Sequence, residues 1–483
     1  MIRDVIGTKA SDSYALNVAR LEDMSSIPRA DTSENRDRAI VMGGGMAGLA
    51  AARVLSDHYR EVMLVEQDRF ENAVEHRRGI PQSRHAHGLL ASGRNTLERF
   101  FPEVFEELMS VGAVNFCITR DAYWCFNGGE HVRFESDLPG VLVSRPLIEG
   151  IIRERVRKIP NVCLRDGCQI EGLTATLDNN CVTGINVYGD TIQADLVVDT
   201  TGRPSRSQKW LESMGYGRLE EERIEVNIAY ATRQFRRLPD HLNGALLASI
   251  PATPECRRGG ILLAQEGDIW TVTMSSYGGR IPTELPEFIE FAKTLPASYI
   301  YDVVSQAEPI GQARSARFPA SVRCRYEYMR RFPEGYLVLG DAISSFNPVY
   351  GQGMSVAALE AVELDKALRR GSKNLAQRFF AQAAKVVDSP WRMAAGNDLR
   401  MPGVAGPKSS MARLFNWYVS ELHISARTDS CMAMAFQNVT NLLAPPQSLL
   451  RPRIAVRVLS QAWSRSAARN RDSRLDAAAR GAF

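Results

Sequence analysis

The chain has 483 residues, 45% of them hydrophobic and 24% charged, with a formal net charge of +4. That length exceeds what one core organises and implies two or three domain-like units of ordinary globular composition. So small a net charge gives no reason to invoke nucleic acid as a main partner, and none is expected.

Residues 1–36 are polar and end in Ala30-Asp31-Thr32-Ser33-Glu34-Asn35-Arg36, which reads as a loosely attached extension. Met1-Ile2-Arg3-Asp4 lacks the apolar core of a signal peptide, and no run approaches membrane-spanning length, so a soluble protein is expected. Eight cysteines are scattered with no CxxC pair and no metal-ligand spacing. They read as reduced, buried thiols of a cytoplasmic enzyme without a metal site.

From residue 37 the pattern is that of a nucleotide-binding unit. Ala39-Ile40-Val41-Met42 predicts a strand, Gly43-Gly44-Gly45-Met46-Ala47-Gly48 a tight turn, and Leu49 to Leu55 the helix it opens. Val62-Met63-Leu64-Val65 predicts a second strand, ending in Glu66-Gln67. A lone Gly-x-Gly-x-x-Gly says little. Here Gly43, Gly45 and Gly48 follow a strand, open a helix and precede the acid Glu66 by the spacing of the dinucleotide fingerprint. Gly43 permits the turn, Gly45 lets backbone approach a pyrophosphate, and Gly48 lets the helix pack on the strand. The amides around Met46 and Ala47 then face the anion. Glu66 can accept hydrogen bonds from a ribose and disfavours a 2′-phosphate, so FAD or NAD is expected.

Gly79 and Pro81 mark a loop, and Leu89 to Phe101 reads as an amphipathic helix. Beside a pyrophosphate site, Arg77 reads as a phosphate or ribose clamp rather than part of a solvated basic face. His85 and His87 flank Ala86, but no third metal ligand stands out. Packing, or a hydrogen bond to flavin or backbone, is expected instead. Ser144 suits an N-cap and Pro146 the first turn of a helix to about Lys158. Arg145 is then either within reach of a nucleotide or a surface residue.

The runs 162–164, 169–173, 182–187 and 196–198 alternate as strands, with turns at Asn179-Asn180 and Gly189-Asp190. They predict a meander feeding a return to the nucleotide sheet at Asp199-Thr200-Thr201-Gly202. Residues 224–330 predict an inserted, mainly antiparallel substrate-binding sheet, which splits the nucleotide domain into 37–223 and 331–371. Gly335 to Asp341 is an apolar strand ending in Gly-Asp. Asp341 is placed to hold a ribityl or ribose hydroxyl. Pro348, Gly351, Gly353 and Met354 open a helix through Leu368, whose first amides can stabilise charge at a flavin's pyrimidine edge. Residues 372–483 read as helical, with breaks at Pro390-Trp391 and Ala444-Pro445-Pro446. The Arg-rich end from Arg451 reads as a solvated basic helix, with a cover over the substrate domain or a peripheral membrane contact left open. The expected fold class is α/β: a Rossmann-like FAD-binding domain, an inserted β domain and a helical C-terminal part.

Taken together, Gly43–Gly48, Glu66, Arg145, Asp199-Thr-Thr-Gly-Arg203 and Gly340-Asp341 with Pro348-x-x-Gly351-x-Gly353-Met354 resemble the FAD-dependent monooxygenases of the para-hydroxybenzoate hydroxylase fold. In that family the residues matching Arg77, Arg145 and Asp341 contact FAD. Arg77-x-Gly79-x-Pro81-Gln82-x-Arg84-His85-Ala86-His87, Ala229-Tyr230-Ala231-Thr232-Arg233, the 340–355 stretch and Asp388-x-Pro390-Trp391 look like the polyene epoxidases of polyether ionophore pathways, of the monensin and lasalocid types. The similarity runs from about residue 38 to about 447. It implies FAD, with NAD(P)H as reductant directly or through a flavin reductase, and epoxidation by O₂ of alkenes in a lipophilic polyketide or terpenoid-type precursor through a C4a-hydroperoxyflavin. The cofactor would carry the chemistry, with no catalytic side chain needed, while the protein excludes water and aims the alkene. Phe346, Asn347 and Trp391 are candidate pocket residues.

A phenol hydroxylase shares every FAD motif and stays open. A flavin halogenase is discounted, because no lysine lies between Glu61 and Arg145 and no Trp-x-Trp-x-Ile-Pro stretch occurs. A non-catalytic escort protein on the same fold is the rival from another class, and the intact glycines argue against it.

Overall fold

Short apolar runs, four of them buried on both faces and the edge run Val162–Arg165 half exposed, build a five-stranded parallel sheet. In the computed structural model, which describes residues 36–71, 74, 76–406 and 410–465, its strands lie in the order Val162–Arg165, Glu61–Val65, Arg38–Met42, Leu196–Asp199 and Tyr336–Val338. The polar N-terminal extension and the last part of the Arg-rich end lie outside the described residues. Arg38–Met42 sits in the middle, paired with Glu61–Val65 on one side and Leu196–Asp199 on the other. The chain leaves it in opposite directions, so a crevice opens at its carboxyl end, where ligands of open α/β sheets bind. Helix Met46–Leu55 packs on this sheet and helix Gly353–Leu368 packs on that helix through small side chains, with Ala50, Ala51, Ala52, Ala358 and Ala361 all buried.

Val162–Arg165 therefore belongs to the parallel sheet and not to the meander expected of it. The meander itself has three antiparallel strands, Ile170–Ala175, Val182–Val187 and Asp190–Gln193. Its turns use Asn179 (φ 57°) and the pair Tyr188 (φ 51°) and Gly189 (φ 79°), so the second lies one residue earlier than expected.

The second large sheet has eight strands, in the order Ser344–Ser345, Pro309–Cys324, Glu221–Arg236, Ile269–Tyr277, Arg258–Gln265, Leu247–Ile250, Ala122–Phe126 and Gly129–Glu130. It is antiparallel except where Leu247–Ile250 runs beside Ala122–Phe126. The sheet thus extends beyond the 224–330 segment at both ends. Ala122-Tyr123-Trp124-Cys125-Phe126 contributes an aromatic strand next to the edge, and Ala122, Tyr123 and Cys125 are buried in the same core as Trp270 and Phe288.

Helices Leu375–Asp398, Ser410–Ser425 and Ser430–Thr440, and a last one over 452–465, cover the remainder. Pro390 does not break the first of these, contrary to expectation. Proline inside a helix costs about 3 kcal/mol, but Pro390 and Trp391 are both buried. The Trp391 indole donates to Glu222 Oε2 at 2.8 Å and its ring lies 6.3 Å from that of Phe346. Packing overrides propensity there. All eight cysteines are unpaired, but only Cys117 and Cys125 are buried, and Cys163 and Cys431 are exposed.

Candidate functional site

The glycine turn is built by sterics. Gly43 has φ +100°, and a Cβ there would come within 2.9 Å of the Thr200 carbonyl. A Cβ on Gly48 would lie 1.9 Å from the Gly43 carbonyl oxygen, so the helix start and the turn touch backbone to backbone. Gly45 differs: its Cβ would meet nothing nearer than Ile80 Cδ1 at 3.9 Å and Arg145 Nη2 at 4.0 Å. It faces open space with a guanidinium across it. No side chain caps the helix that starts at Met46, so its orphan amides and positive dipole end are left for a ligand.

The second marker meets the first. The strand Tyr336–Val338 delivers Gly340 (φ +77°) against Ala47, and a Cβ on Gly340 would stand 2.7 Å from the Ala47 Cβ. Asp341 follows, half-buried, with a Gly353 Cβ position 3.5 Å from its Oδ1. Burial pushes the Asp341 carboxyl above its ordinary range, while Arg145 and Arg203 pull the other way. Gly351 (φ +63°) closes the turn after Pro348–Tyr350, and its Cβ position lies 3.6 Å from Gly88. The helix starting at Gly353 has no side-chain cap either; Met354 is buried and Pro348 exposed. Three segments far apart in sequence, 43–48, 85–88 and 340–354, thus converge on one crevice.

Two arginines share one carboxylate beside it. Arg77, almost fully buried, pairs with Glu66 Oε2 at 3.0 Å through Nη1 and reaches Glu149 Oε1 at 3.0 Å through Nε, while its Nη2 donates to the Gly44 carbonyl at 3.1 Å. Arg145 Nε donates to Glu149 Oε2 at 2.9 Å. Burial opposes ionisation of Glu149, but the two guanidiniums hold its carboxyl below the ordinary range. Glu66 Oε2 accepts the Gly44 amide at 2.7 Å, and Oε1 accepts that of Asp68 at 3.0 Å. Gln67 is exposed at the rim. Arg77 therefore sits behind the turn and positions Glu66. Glu149, to which sequence reasoning assigned no role, anchors both arginines; its i,i+4 spacing from Arg145 was the available signal.

The loop 79–88 is stitched to the substrate sheet. His85 Nδ1 bonds Thr232 Oγ1 at 2.8 Å, Thr232 and Thr273 hydroxyls lie 2.6 Å apart, and the Ala86 amide donates to Thr273 Oγ1 at 3.0 Å. The Tyr230 ring meets His85 edge-on at 4.5 Å between centroids. His87 Nδ1 bonds the His85 carbonyl at 2.9 Å; a carbonyl only accepts, so Nδ1 carries the proton and Nε2 is left as an acceptor. Burial first, then Arg84, brings His85 down to about 4; burial first, then Arg145, brings His87 down to about 3. Among the described residues no group of three or more His, Cys, Asp or Glu side chains could hold a metal ion.

Of the three pocket candidates, none stands free in the crevice. Phe346 and Trp391 pack in the core. Asn347, fully buried, donates to Asp398 Oδ1 at 2.9 Å and to Tyr277 Oη at 3.0 Å. Asp398 Oδ1 also accepts Tyr277 and Tyr350, each at 2.8 Å. This network ties the end of the Leu375–Asp398 helix to the 347–350 turn, and Asn347 is held within it.

Glu360 lies behind Gly340 and accepts its amide at 2.6 Å, and its other oxygen is buried without a partner. Burial raises its carboxyl from 4.5 to about 8, with Asp341 adding to the rise. The folded chain therefore holds a proton that the unfolded chain loses above 4.5. The associated stability is full below that value and declines as pH rises through about 8. Glu360→Gln is expected to flatten the fall in denaturation midpoint across this window. An unchanged slope counts against a buried, protonated Glu360.

The parallel sheet with its two converging turns, set against the large antiparallel sheet, is the fold of the FAD-dependent monooxygenases built like para-hydroxybenzoate hydroxylase. The structure of the flavin-dependent brominase Bmp2 aligns with a TM-score of 0.61 at 12% identity, over 89% of this chain and 99% of that one. That of p-nitrophenol 4-monooxygenase PnpA from Pseudomonas putida DLL-E4 aligns with a TM-score of 0.60 at 17% identity, over 85% and 99%. The chain belongs to the family of Protein Rv3254 of Mycobacterium tuberculosis (strain ATCC 25618 / H37Rv), with which it is 33% identical over 388 residues, 75% of this chain and 80% of that protein. No protein-family model matches the chain.

Proposed function

We propose that the protein is an FAD-dependent monooxygenase that epoxidises one or more alkenes of a lipophilic polyketide or terpenoid-type precursor. The observation that carries this reading is the packing of Gly340 on Ala47, which joins the two nucleotide-facing turns into one crevice beside the antiparallel sheet. The residues fit FAD. Gly45 leaves room, and the amides from Gly45 to Gly48 are free, for a pyrophosphate; Glu66, pinned by Arg77 and flanked by Gln67, faces a ribose; Asp341 and Arg145 line the crevice. The turn Pro348–Met354 offers a second amide cluster. FAD, reduced by NAD(P)H directly or through a flavin reductase, supplies the activation of O₂. The chain's own part is to hold the cofactor, exclude water and aim the double bond. Its eight unpaired thiols favour a cytoplasmic enzyme.

A phenol hydroxylase needs a base matched to the working pH to ionise its substrate. His85 and His87, the imidazoles of the loop at the crevice, are held at about 4 and about 3, too weak for that task. Neither imidazole supplies that base, while Tyr230 and the crevice carboxylates remain as candidates, so a phenol hydroxylase on the same fold stands as an equal second reading. The test is to supply candidate polyenes and phenols side by side under ¹⁸O₂. Epoxides carrying one ¹⁸O atom are expected. Hydroxylated phenols in their place would establish the rival, label taken from water would rule out oxygen transfer from O₂, and a colourless protein that takes up no FAD would favour the escort.

A further inference from the structure

The C-terminal helices bury one part of their apolar surface and expose another. Inward, Tyr418, Leu422, Leu449 and Val458 share a small buried core. Outward, seven of the fourteen exposed large hydrophobic side chains among the described residues lie between 411 and 463. Met411, Leu414 and Trp417 recur every three residues on the Ser410–Ser425 helix. Val456, Leu459 and Trp463 recur at i, i+3 and i+7 on the 452–465 helix, so each set forms one stripe. Met411 is 72% exposed and Trp463 80%. An ion pair between Arg465 and Glu421 and the shared core of Tyr418, Leu422 and Val458 hold the two helices together. Apolar helix faces of this extent mark an interaction site.

The charge around the stripes selects the occupant. Arg451, Arg453 and Arg457 are exposed beside Val456 and Leu459. Residues 451–483 carry eight arginines against two aspartates, a surplus of six positive charges in a chain whose net charge is +4. A second copy of this chain would set these arginines against their own counterparts. An anionic phospholipid surface satisfies both features: Trp, Leu and Val enter the boundary of head groups and acyl chains, and arginine pairs with phosphate. No helix among the described residues is long and apolar enough to cross a membrane, which suits a surface-lying pair.

We infer that the helices at 410–425 and 452–465 dock this protein on the surface of anionic membranes. The inference does not depend on the reaction proposed above.

Co-sedimentation of the full-length protein with vesicles tests it, using phosphatidylcholine alone and phosphatidylcholine mixed with phosphatidylglycerol. Binding is expected only to the anionic vesicles, weakening as salt is raised. Leu459→Ser with Trp463→Ser, and separately Arg451→Glu with Arg453→Glu, are each expected to weaken it at least about tenfold. Circular dichroism melts serve as the check that both variants fold. Absence of binding, equal binding to both vesicle types, or anionic binding unchanged in both variants overturns the inference. A dimer in light scattering that the Trp463 variant abolishes would assign the face to a second copy instead.

Discussion

Asp341→Ala is expected to weaken FAD binding by about ten- to a hundredfold while leaving the apoprotein folded. A hydrogen bond made by a charged group contributes roughly 1.5–3 kcal/mol, which is that range in affinity. The carboxylate accepts no hydrogen bond from the described residues, and burial raises it against the pull of Arg145 and Arg203. In the empty protein it is thus a partly desolvated charge held ready for a ligand. The turn that carries it is fixed without it, by the positive φ of Gly340, the Ala47 contact and the Glu360 acceptor. Removing the side chain should therefore leave the melting temperature of the apoprotein unchanged or slightly raised, the trade between stability and function seen where charge is preorganised. Flavin fluorescence titration and a parallel thermal melt separate the two effects. Full flavin stoichiometry at unchanged affinity would remove Asp341 from the cofactor site. A collapsed apoprotein would show instead that the residue is structural.

The positions that sequence alone located best are those where backbone sterics dictate residue type. Gly43, Gly45, Gly48, Gly340 and Gly351 each stand where a strand ends and a helix or turn begins, and local pattern reads such places directly. What escaped depends on pairing between distant segments or on side-chain direction. Ala122–Phe126 joins the second sheet through Leu247–Ile250, a partner more than a hundred residues away, and nothing local encodes that register. Arg77 was recognisable as important, yet its guanidinium turns behind the turn because Glu149 waits there. Asn347 looked like a pocket residue because it adjoins the glycines; in the fold Asp398 claims it. Pro390 carries a strong breaker signal locally, which the burial of its own helix face defeats. The resemblance to polyene epoxidases rested on motifs that now have positions. Thr232 and Arg233 from one motif hold His85 and the carbonyls of Gly311 and Thr283, so part of what the motifs share is architecture.

Gly48→Ala and Gly45→Ala, a single methyl added at two positions of one turn, are expected to fail in opposite ways. At Gly48 the new Cβ would sit 1.9 Å from the Gly43 carbonyl oxygen and 2.8 Å from Thr200 Oγ1. Neither neighbour can retreat. The Gly43 amide is bonded to the Val65 carbonyl at 2.8 Å, and the Thr200 hydroxyl donates to the Met42 carbonyl at 2.8 Å. Overpacking against flexible side chains costs roughly 1–3 kcal/mol. Against fixed backbone at the centre of the parallel sheet the cost should reach or exceed the top of that range, a large part of the ~5–15 kcal/mol that holds a domain together. Gly48→Ala is therefore expected to lower the denaturation midpoint sharply, with or without flavin. At Gly45, with its nearest neighbours at 3.9 and 4.0 Å, the methyl meets ordinary van der Waals distances and the apoprotein should melt as the wild type does. Yet that methyl fills the space through which a pyrophosphate must approach the helix amides, so FAD affinity should drop. Equal melting losses in both variants would mean that the turn is merely a packing device. A Gly45→Ala protein that binds FAD normally would place the cofactor's phosphates elsewhere.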